Sequence, residues 1–506
     1  MTGRIRNPRI ARKLTSAVEA ANLVKPGANV GMSGFTGSGH PKRVPAALAQ
    51  RIAEANRTGE PMRIGLWTGA STAPEVDGVL AEADGIDLRL PYQSDPVTRD
   101  RINSAALRYT DMHLSHVAPR VWQGFFGRLD VAIVEATAIT EDGHLVPSSS
   151  VGNNKTWIEQ ADQVIVELNE RHGDGMEGMH DIYYGTALPP QRKPIPLTRP
   201  SDRIGAAHLE CPEDKIVAVV RTEEPDRGTA FRPPDATSRG IAGHVLDFLG
   251  EEVRSGRLPR ELLPLQSGVG NVANAVLDGL RTGPFRDLTA YTEVIQDGML
   301  DLLDAGVLRA ASATALSLSP AADDRFHDGI ADYRDKIVLR PQEISNHPEV
   351  VRRLGCLAMN GIVEADIYGN VNSTHLMGSS VQNGIGGSGD FARNAYLSIF
   401  VTPSSAKGGA ISTIVPMVSH VDHTEHDVDV IATEQGIADL RGLAPAERAR
   451  LVIDNCAHPD FRPALHDYFA RAQRDSFGLH TPHLLDESLS WHHRFVRTGT
   501  MHSTPE

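Results

Sequence analysis

Cysteine is scarce: Cys211, Cys356 and Cys456 are the only three in 506 residues, and they lie far apart. Such spacing rules against a disulfide framework and fits a reducing cytosol. No run of about 18 or more apolar residues occurs, so no membrane span is expected. An excess of positive charge is also missing. The chain carries 50 Lys and Arg against 64 Asp and Glu, a formal net charge of -14. That argues against a general nucleic-acid surface, and it requires any strongly anionic ligand to meet a local basic patch. Two signatures are absent as well. There is no G-x-S-x-G nucleophile elbow, which disfavours a serine hydrolase. There is no P-loop Lys-Ser/Thr, and the Gly-rich turn at Gln266 to Asn271 is not G-x-G-x-x-G because Ala273 holds the last Gly position, which disfavours a P-loop NTPase and a Rossmann oxidoreductase.

What is present alternates short β-prone runs with amphipathic helical stretches. The length implies two or more domains. Ala28 to Ser33, Asp130 to Val134, Gln163 to Glu167 and Lys215 to Val220 read as strands, and Pro45 to Ala55 reads as a helix. Alternation of this kind implies mostly parallel sheets covered by helices, an α/β fold. The halves echo each other. Gly34-Phe35-Thr36-Gly37 precedes one helix, as Gly268-Val269-Gly270-Asn271 precedes another. Ile133-Val134-Glu135-Ala136 recurs as Ile362-Val363-Glu364-Ala365, and both comparisons give an offset of about 230 residues. The expectation is two related, duplicated open α/β domains, 1–225 and 226–506, with the active site in the cleft between them. The Pro- and Arg-rich segment Arg221 to Pro234 reads as the linker. The basic stretch from Met1 to Lys13 could be a presequence, but it reads better as a basic first segment feeding a capping-box-like start at Ser16 to Glu19.

Glu293 is the leading candidate for chemistry. It follows the β-prone run Leu288 to Thr292 and precedes Val294 and Ile295. Strand ends aim side chains into loop-lined crevices, and a carboxylate in partly apolar surroundings loses hydration and gains nucleophilicity. A solvated or ion-paired acid is the plain alternative. The turn Gln266-Ser267-Gly268-Val269-Gly270-Asn271 exposes N–H groups and a helix start, which favour anions; a tight structural turn would look the same. Asn383 to Phe391 is richer in glycine and could form an oxyanion hole or simply a flexible loop. Lys407, beside Gly408 and Gly409, suits a phosphate, or is a solvated lysine. His420, His423 and His426 with their neighbouring acids could be read as a metal cluster. Their equal spacing does not match H-E-x-x-H, so hydrogen-bonded structural histidines are expected and no metal site is assigned.

Taken together, these blocks resemble the acetyl-CoA hydrolase/transferase family, a branch of the class I CoA-transferases. The resemblance runs from Val30–Thr36 to Leu489–Arg494. It rests on Gly268 to Asn271, Tyr291 to Leu303, Gln342 to Pro348, Gly384 to Phe391 and Val415 to His420 through Gly436, occurring in that order.

The resemblance implies that Glu293 is the nucleophile of a CoA-transferase, working by a ping-pong route through a glutamyl-CoA thioester. It implies that the backbone N–H groups of Val269 and Gly387 hold the oxyanion and that Asn346 helps position the thioester. Gln266, Ser267, Gly268, Val269, Gly270, Asn383, Gly387 and Lys407 are the positions it assigns to CoA, with Glu434 lining the site; should Lys407 not meet CoA, Arg393 is the next basic side chain to consider. It implies no tightly bound cofactor, with coenzyme A as substrate and covalent intermediate. Acyl-CoA and short carboxylates are the expected partners, succinyl-CoA with acetate first and propionate next, with no nucleic acid and no membrane. A cytoplasmic homodimer is expected. An acyl-CoA hydrolase using the same Glu293 is the first alternative, and a non-catalytic CoA-binding protein the second.

Overall fold

The computed structural model describes residues 3–70, 73–228 and 233–503. Residues 229–232 of the expected linker, and Met1 and Thr2 of the basic N-terminal stretch, lie outside the described residues. The chain forms two compact units. One comprises Met1–Ala230, Thr289–Asp304 and Leu308–Leu354; the other comprises Phe231–Leu288, Ala305–Val307 and Gly355–Glu506. No described helix is long and apolar enough to cross a membrane.

The first unit is built on a sheet of eight strands: β1 (Asn29–Met32), β2 (Ile64–Ala70), β3 (Ile86–Tyr92), β4 (Arg108–Tyr109), β5 (Val131–Ile139), β6 (Leu145–Pro147), β7 (Gln163–Asn169) and β8 (Ile216–Thr222). Their order is β4-β3-β2-β1-β5-β7-β8, and every pairing along it is parallel; β6 joins β5 antiparallel. All residues of β2 and β5 are buried, the pattern of strands covered on both faces. Gly31 in β1 is required by packing: a Cβ there would lie 2.9 Å from the Trp157 ring. The N-terminal basic stretch folds onto this unit, with Lys13 Nζ donating to the carbonyls of Glu213 and Ile216 at 2.7 Å. Ser16 and Glu19 form the expected capping box of the helix Ala17–Asn22.

Two acids inside the apolar strands have structural work. Glu167 in β7 accepts hydrogen bonds from the N–H groups of Lys42 (2.5 Å), Arg43 (2.9 Å) and Val44 (3.0 Å), capping the helix Arg43–Thr58 from a distant strand. Glu135 in β5 meets Lys42 Nζ at 2.5 Å, and the same ammonium reaches Asp226 at 2.7 Å. Burial weakens the charged form of Lys42, but Asp226 and Glu135 carry its ammonium above the usual lysine range. Asp226 also accepts from Gly39 N at 2.9 Å and from Ser149 Oγ, so it ties the Phe35–His40 loop down. Gly39 sits at φ +63°, where a Cβ would strike Ser150 Oγ at 2.3 Å.

The sequence places Glu293 in a second domain starting at 226. The compact units are drawn differently: its segment belongs to the first. The reason is backbone pairing across a long stretch of chain. β10 (Leu288–Tyr291), β11 (Val294–Gln296), β12 (Leu308–Ala313), β13 (Ala315–Ser317) and β14 (Ile337–Leu339) follow β9 (Leu265–Ser267) in the chain. Val151 N donates to Thr314 O at 2.8 Å and Leu316 N to Ser149 O at 2.9 Å. Asp181 N donates to Leu339 O at 2.8 Å. Buried Arg340 adds side-chain ties to Ser312 Oγ, Pro200 O and Asp181.

The second unit repeats the plan of the first. β9 pairs in parallel with β15 (Leu357–Gly361), which pairs with the strand Leu397–Val401, then Val430–Thr433; Gly436–Asp439 closes the row antiparallel. This matches the order β1-β5-β7-β8, with a Gly-rich turn and a helix after β1 and after β9 alike. In the recurring Ile-Val-Glu-Ala segment the second copy breaks: β15 ends at Gly361 and β16 (Glu364–Asp366) starts a separate small sheet. Glu364 is nonetheless buried, as Glu135 is, and it accepts from His492 Nε2 (2.7 Å), Asn372 Nδ2 (3.0 Å) and Ser419 N (2.8 Å).

Candidate active site

Glu293 occupies a two-residue break between β10 and β11. Its carbonyl accepts from Thr314 N (2.9 Å) and Ala315 N (3.2 Å), which fixes the backbone at the break. The next residue, Val294, is paired in register with Ala315. Both belong to a small apolar cluster with Phe35, Ala70 and Leu114, against which Tyr92 packs. A carboxylate set among such groups loses water, and its charged form becomes costly. Burial pushes the Glu293 carboxyl up to about 7, against the opposing hydrogen bond from Asn346. Burial, and next the negative charge of Glu293, also raise the Tyr92 phenol far above its ordinary range. At neutral pH Glu293 is therefore poised between acid and carboxylate.

Asn346 Nδ2 donates to Glu293 Oε1 at 2.5 Å. The amide is oriented by its own neighbours. Asn346 ends the short helix Gln342–Ser345, and its Oδ1 accepts from Ser345 Oγ at 3.0 Å, which turns the NH2 group toward Glu293. The helix is held from three sides. Gln342 N donates to Gly152 O at 2.8 Å, Gln342 Nε2 donates to Leu114 O at 3.0 Å, and the Tyr291 hydroxyl donates to Ile344 O. A rigid, hydrogen-bonded amide on a partly desolvated carboxylate can aim a nucleophile and support charge forming beside it.

The other sequence candidates lie in the second unit. Gln266 is buried and spends its side chain between strands: Oε1 accepts from Met359 N at 3.1 Å and Nε2 donates to Asn360 Oδ1 at 3.3 Å. Ser267 is buried too, its Oγ donating to Gly268 O at 3.2 Å. Gly268 N donates to Met359 O at 2.9 Å. Val269 stands in the turn between β9 and the next helix and is 55% exposed. Gly270, at φ +137°, starts the twelve-residue helix Asn271–Thr282 without supplying a side-chain cap. That leaves first-turn N–H groups available to an anion.

Asn383 Nδ2 donates to Gly384 O (2.8 Å) and Ser373 O (3.3 Å). Gly387 precedes the short helix Ser388–Ala392. Lys407 sits exposed at φ +49° at the tip of the hairpin Ser405–Ala406/Ile411–Ser412, its ammonium 5.5 Å from the centre of the Phe495 ring. Glu434 accepts from Ser404 N at 2.8 Å and from Gln435 Nε2 at 3.1 Å; burial alone would raise its carboxyl, but the Ser404 bonds bring it below the usual range. Arg393 is exposed, 3.9 Å from Asp427.

The three spaced histidines go separate ways. His420 stacks on His375 with ring centres 3.8 Å apart and meets Asp422 at 3.3 Å, while buried His423 bonds through Nε2 to Ser388 Oγ at 3.1 Å. Among the described residues, the one grouping with ligand atoms close enough for a metal is Glu135, His172 and Asp226. Its centre is claimed by the Lys42 ammonium, which already bridges both acids. Sequence reading missed this network and Tyr92. The available signal was an acid, Glu135, inside a fully apolar strand, which demands a buried partner.

Comparison with known proteins agrees with this architecture. Residues 4–220 match the acetyl-CoA hydrolase/transferase N-terminal domain and residues 323–469 the C-terminal domain. The chain is 50% identical over 498 residues to a succinyl-CoA:acetate CoA-transferase of Clostridium kluyveri, covering 98% of this chain and 92% of the relative. It is 45% identical over 515 residues to an acetyl-CoA hydrolase of Schizosaccharomyces pombe, covering 99% of this chain and 98% of the relative. The fold is shared with the crystal structure of RipA from Yersinia pestis, at TM-score 0.71 and 23% identity over 92% of this chain and 98% of that one. The chain belongs to the acetyl-CoA hydrolase/transferase family and is an enzyme of that family.

Proposed function

We propose that this enzyme transfers CoA between a short-chain acyl-CoA and a carboxylic acid through a thioester on Glu293. The observation that carries the reading is the Glu293–Asn346 pair: a carboxyl raised to about 7 in apolar surroundings with an amide fixed 2.5 Å from its oxygen. A carboxylate is a weak acceptor for an acyl group, and a covalent route divides the difficult exchange into smaller steps. Glu293 attacks the thioester carbonyl; the C–S bond breaks, CoA leaves as the thiolate, and an acyl-glutamyl anhydride remains. The thiolate attacks the glutamyl carbonyl; the C–O bond breaks, the first acid leaves as its carboxylate, and CoA is now bound to Glu293. A second carboxylate runs the two steps in reverse and regenerates the Glu293 carboxylate.

Asn346 steadies Glu293 and the thioester oxygen. The N–H groups of Val269 and Gly387 are assigned to the oxyanion, and Gln266, Ser267, Gly268, Gly270, Asn383 and Lys407 to CoA. The exposed Val269, the uncapped helix start after Gly270 and the exposed Lys407 support those assignments. The bonds that Gln266 and Ser267 make inside the sheet favour a role for them in shaping the turn. Succinyl-CoA with acetate is the pair we favour, with propionate next, and the identity to a relative named for the first pair supports this order. The reading includes a cytosolic homodimer; the three cysteines, all free and buried, suit a reducing compartment.

A hydrolase is the second reading, favoured by the 45% identity to a relative named acetyl-CoA hydrolase. One experiment separates them. Acetyl-CoA is supplied with and without succinate, and free CoA, succinyl-CoA and intact protein mass are followed. The transferase reading expects little CoA release without acceptor, a CoA adduct on the Glu293 peptide, and discharge of that adduct by succinate. Steady CoA release of equal rate with or without acceptor would make the enzyme a hydrolase, and an adduct on another peptide would remove Glu293 from the mechanism.

A further inference from the structure

A cleft in the first unit, with a volume of about 450 Å³, lies among Ser115, His116, Arg120, Trp122, Arg192 and His347. That is the size range of small-molecule sites, about 300–1,000 Å³. Two guanidinium groups reach it. Arg120 NH1 donates to Gln123 Oε1 at 3.3 Å, and Arg192 Nε donates to Ala187 O at 3.2 Å. Among the described residues, neither is ion-paired with a carboxylate. Two acids also line the cleft, but both are engaged by cations that do not line it. Arg353 grips Glu349 through two hydrogen bonds of 2.6 and 3.0 Å. Glu343 meets Lys155 at 3.4 Å and accepts from Thr186 Oγ1 at 3.3 Å. The acids of the cleft thus each meet a cation, Lys155 being shared between Glu343 and Glu159, whereas its arginines meet no carboxylate, in a chain whose net charge is -14.

The two histidines follow the same electrostatics. Burial, and then Arg120, hold the His116 imidazole below its ordinary range. Burial takes His347 down to about 4, with Arg192 adding to the effect and Glu349 opposing it. The His347 ring is therefore neutral near pH 7, and its buried Nδ1 has no hydrogen-bond partner. Two guanidinium forks without a carboxylate partner, one of them resting 5.4 Å from the centre of the Phe125 ring, describe a place prepared for an anionic acceptor that the protein does not itself supply.

We propose that this cleft binds a small polyanion, a molecule carrying two or more carboxylate or phosphate groups, held between Arg120 and Arg192. Guanidinium forks match both kinds of group in two-pronged geometry, and two of them call for a ligand with more than one anionic end. The site is distinct from the Glu293 carboxyl but shares an element with it. Glu343 and His347 line the cleft, while Asn346, between them in sequence, donates to Glu293. The binding claim does not depend on the reaction assigned to Glu293.

The test is calorimetric titration of the full-length wild-type protein, with CoA present throughout so that the acyl-CoA site is filled. One arm uses tricarballylate, a tricarboxylate, and the other pyrophosphate, so the arms tell carboxylate from phosphate recognition. At least one probe should bind at one site per chain. The exposed pair R120Q/R192Q should weaken that binding by about ten-fold or more, the loss expected when charge-assisted hydrogen bonds are removed. R171Q, a control on a surface arginine already paired with Asp324 at 3.1 Å, should leave it unchanged. Should the double variant melt below the wild type, the single variants are compared instead. Failure of both probes to saturate in the millimolar range, or equal binding by the arginine variants and the wild type, would overturn the proposal.

Discussion

Replacing Glu293 by Gln keeps the shape of the side chain and the acceptor for the Asn346 amide, and removes the charge. The carboxyl is raised from 4.5 to about 7, chiefly by burial. A difference of about 2.5 units at about 1.36 kcal/mol each gives about 3.4 kcal/mol. Partial solvent access to the half-buried side chain reduces this to about 2–3 kcal/mol. The sign follows from proton binding. The folded protein holds this proton more tightly than the unfolded chain. The wild type therefore has the full contribution below about 4.5 and loses it as pH rises through about 7. The variant has no such loss. Glu293→Gln should be inactive, should melt close to the wild type near pH 4.5, and should melt about 3 °C or more above it near pH 9. Melting temperature is the right readout because a long chain with two units need not unfold in one step. A difference that does not change with pH, or a variant that melts below the wild type near pH 9, would refute the claim that Glu293 is a desolvated, destabilising carboxylate.

Three further outcomes are expected. Asn346→Ala should lower turnover by about 100- to 1000-fold while changing KM much less, because its amide acts where charge develops; steady-state kinetics with several acyl-CoA donors checks this, and an effect on KM alone would refute it. Lys407→Ala should raise KM by about ten-fold for every acyl-CoA with little change in kcat, since the CoA portion is common to all donors; unchanged CoA affinity would return Lys407 to an ordinary surface lysine. Lys42→Met leaves Glu135 and Asp226 buried without their cation and should destabilise the first unit by about 3–5 kcal/mol, read as a lowered melting temperature; unaltered melting would contradict the ion network described here.

The strand runs at Gln163 and Lys215 were legible because their apolar residues are continuous, as strands covered on both faces require. The capping box at Ser16 was legible because it is a purely local bond. Glu293 was legible as a strand-end acid. The break that separates Tyr291 from Val294 was not, since it arises when β11 leaves the line of β10 to pair with β13. Asn346 carries no local sign of its role. Its significance depends on a hydrogen bond spanning 53 residues, and only family resemblance pointed to it. The allegiance of 289–304 and 308–354 to the first unit was hidden for the same reason: it rests on backbone pairs such as Leu316 with Ser149, which leave no periodic trace in the sequence.

That allegiance has a consequence for how the protein is made. When Thr222 has left the ribosome, all eight strands of the first sheet exist, but Ser149 and Val151 still lack the backbone groups of Thr314 and Leu316. About 90 further residues must be translated before those partners arrive, a wait of roughly 5–20 s at about 5–20 residues per second. During that interval the nascent chain displays open peptide groups near the residues that later surround Glu293, while the start of the second unit is being synthesised. A fragment ending near residue 230 would keep that opening permanently, and so would suit chaperone capture or aggregation better than independent folding.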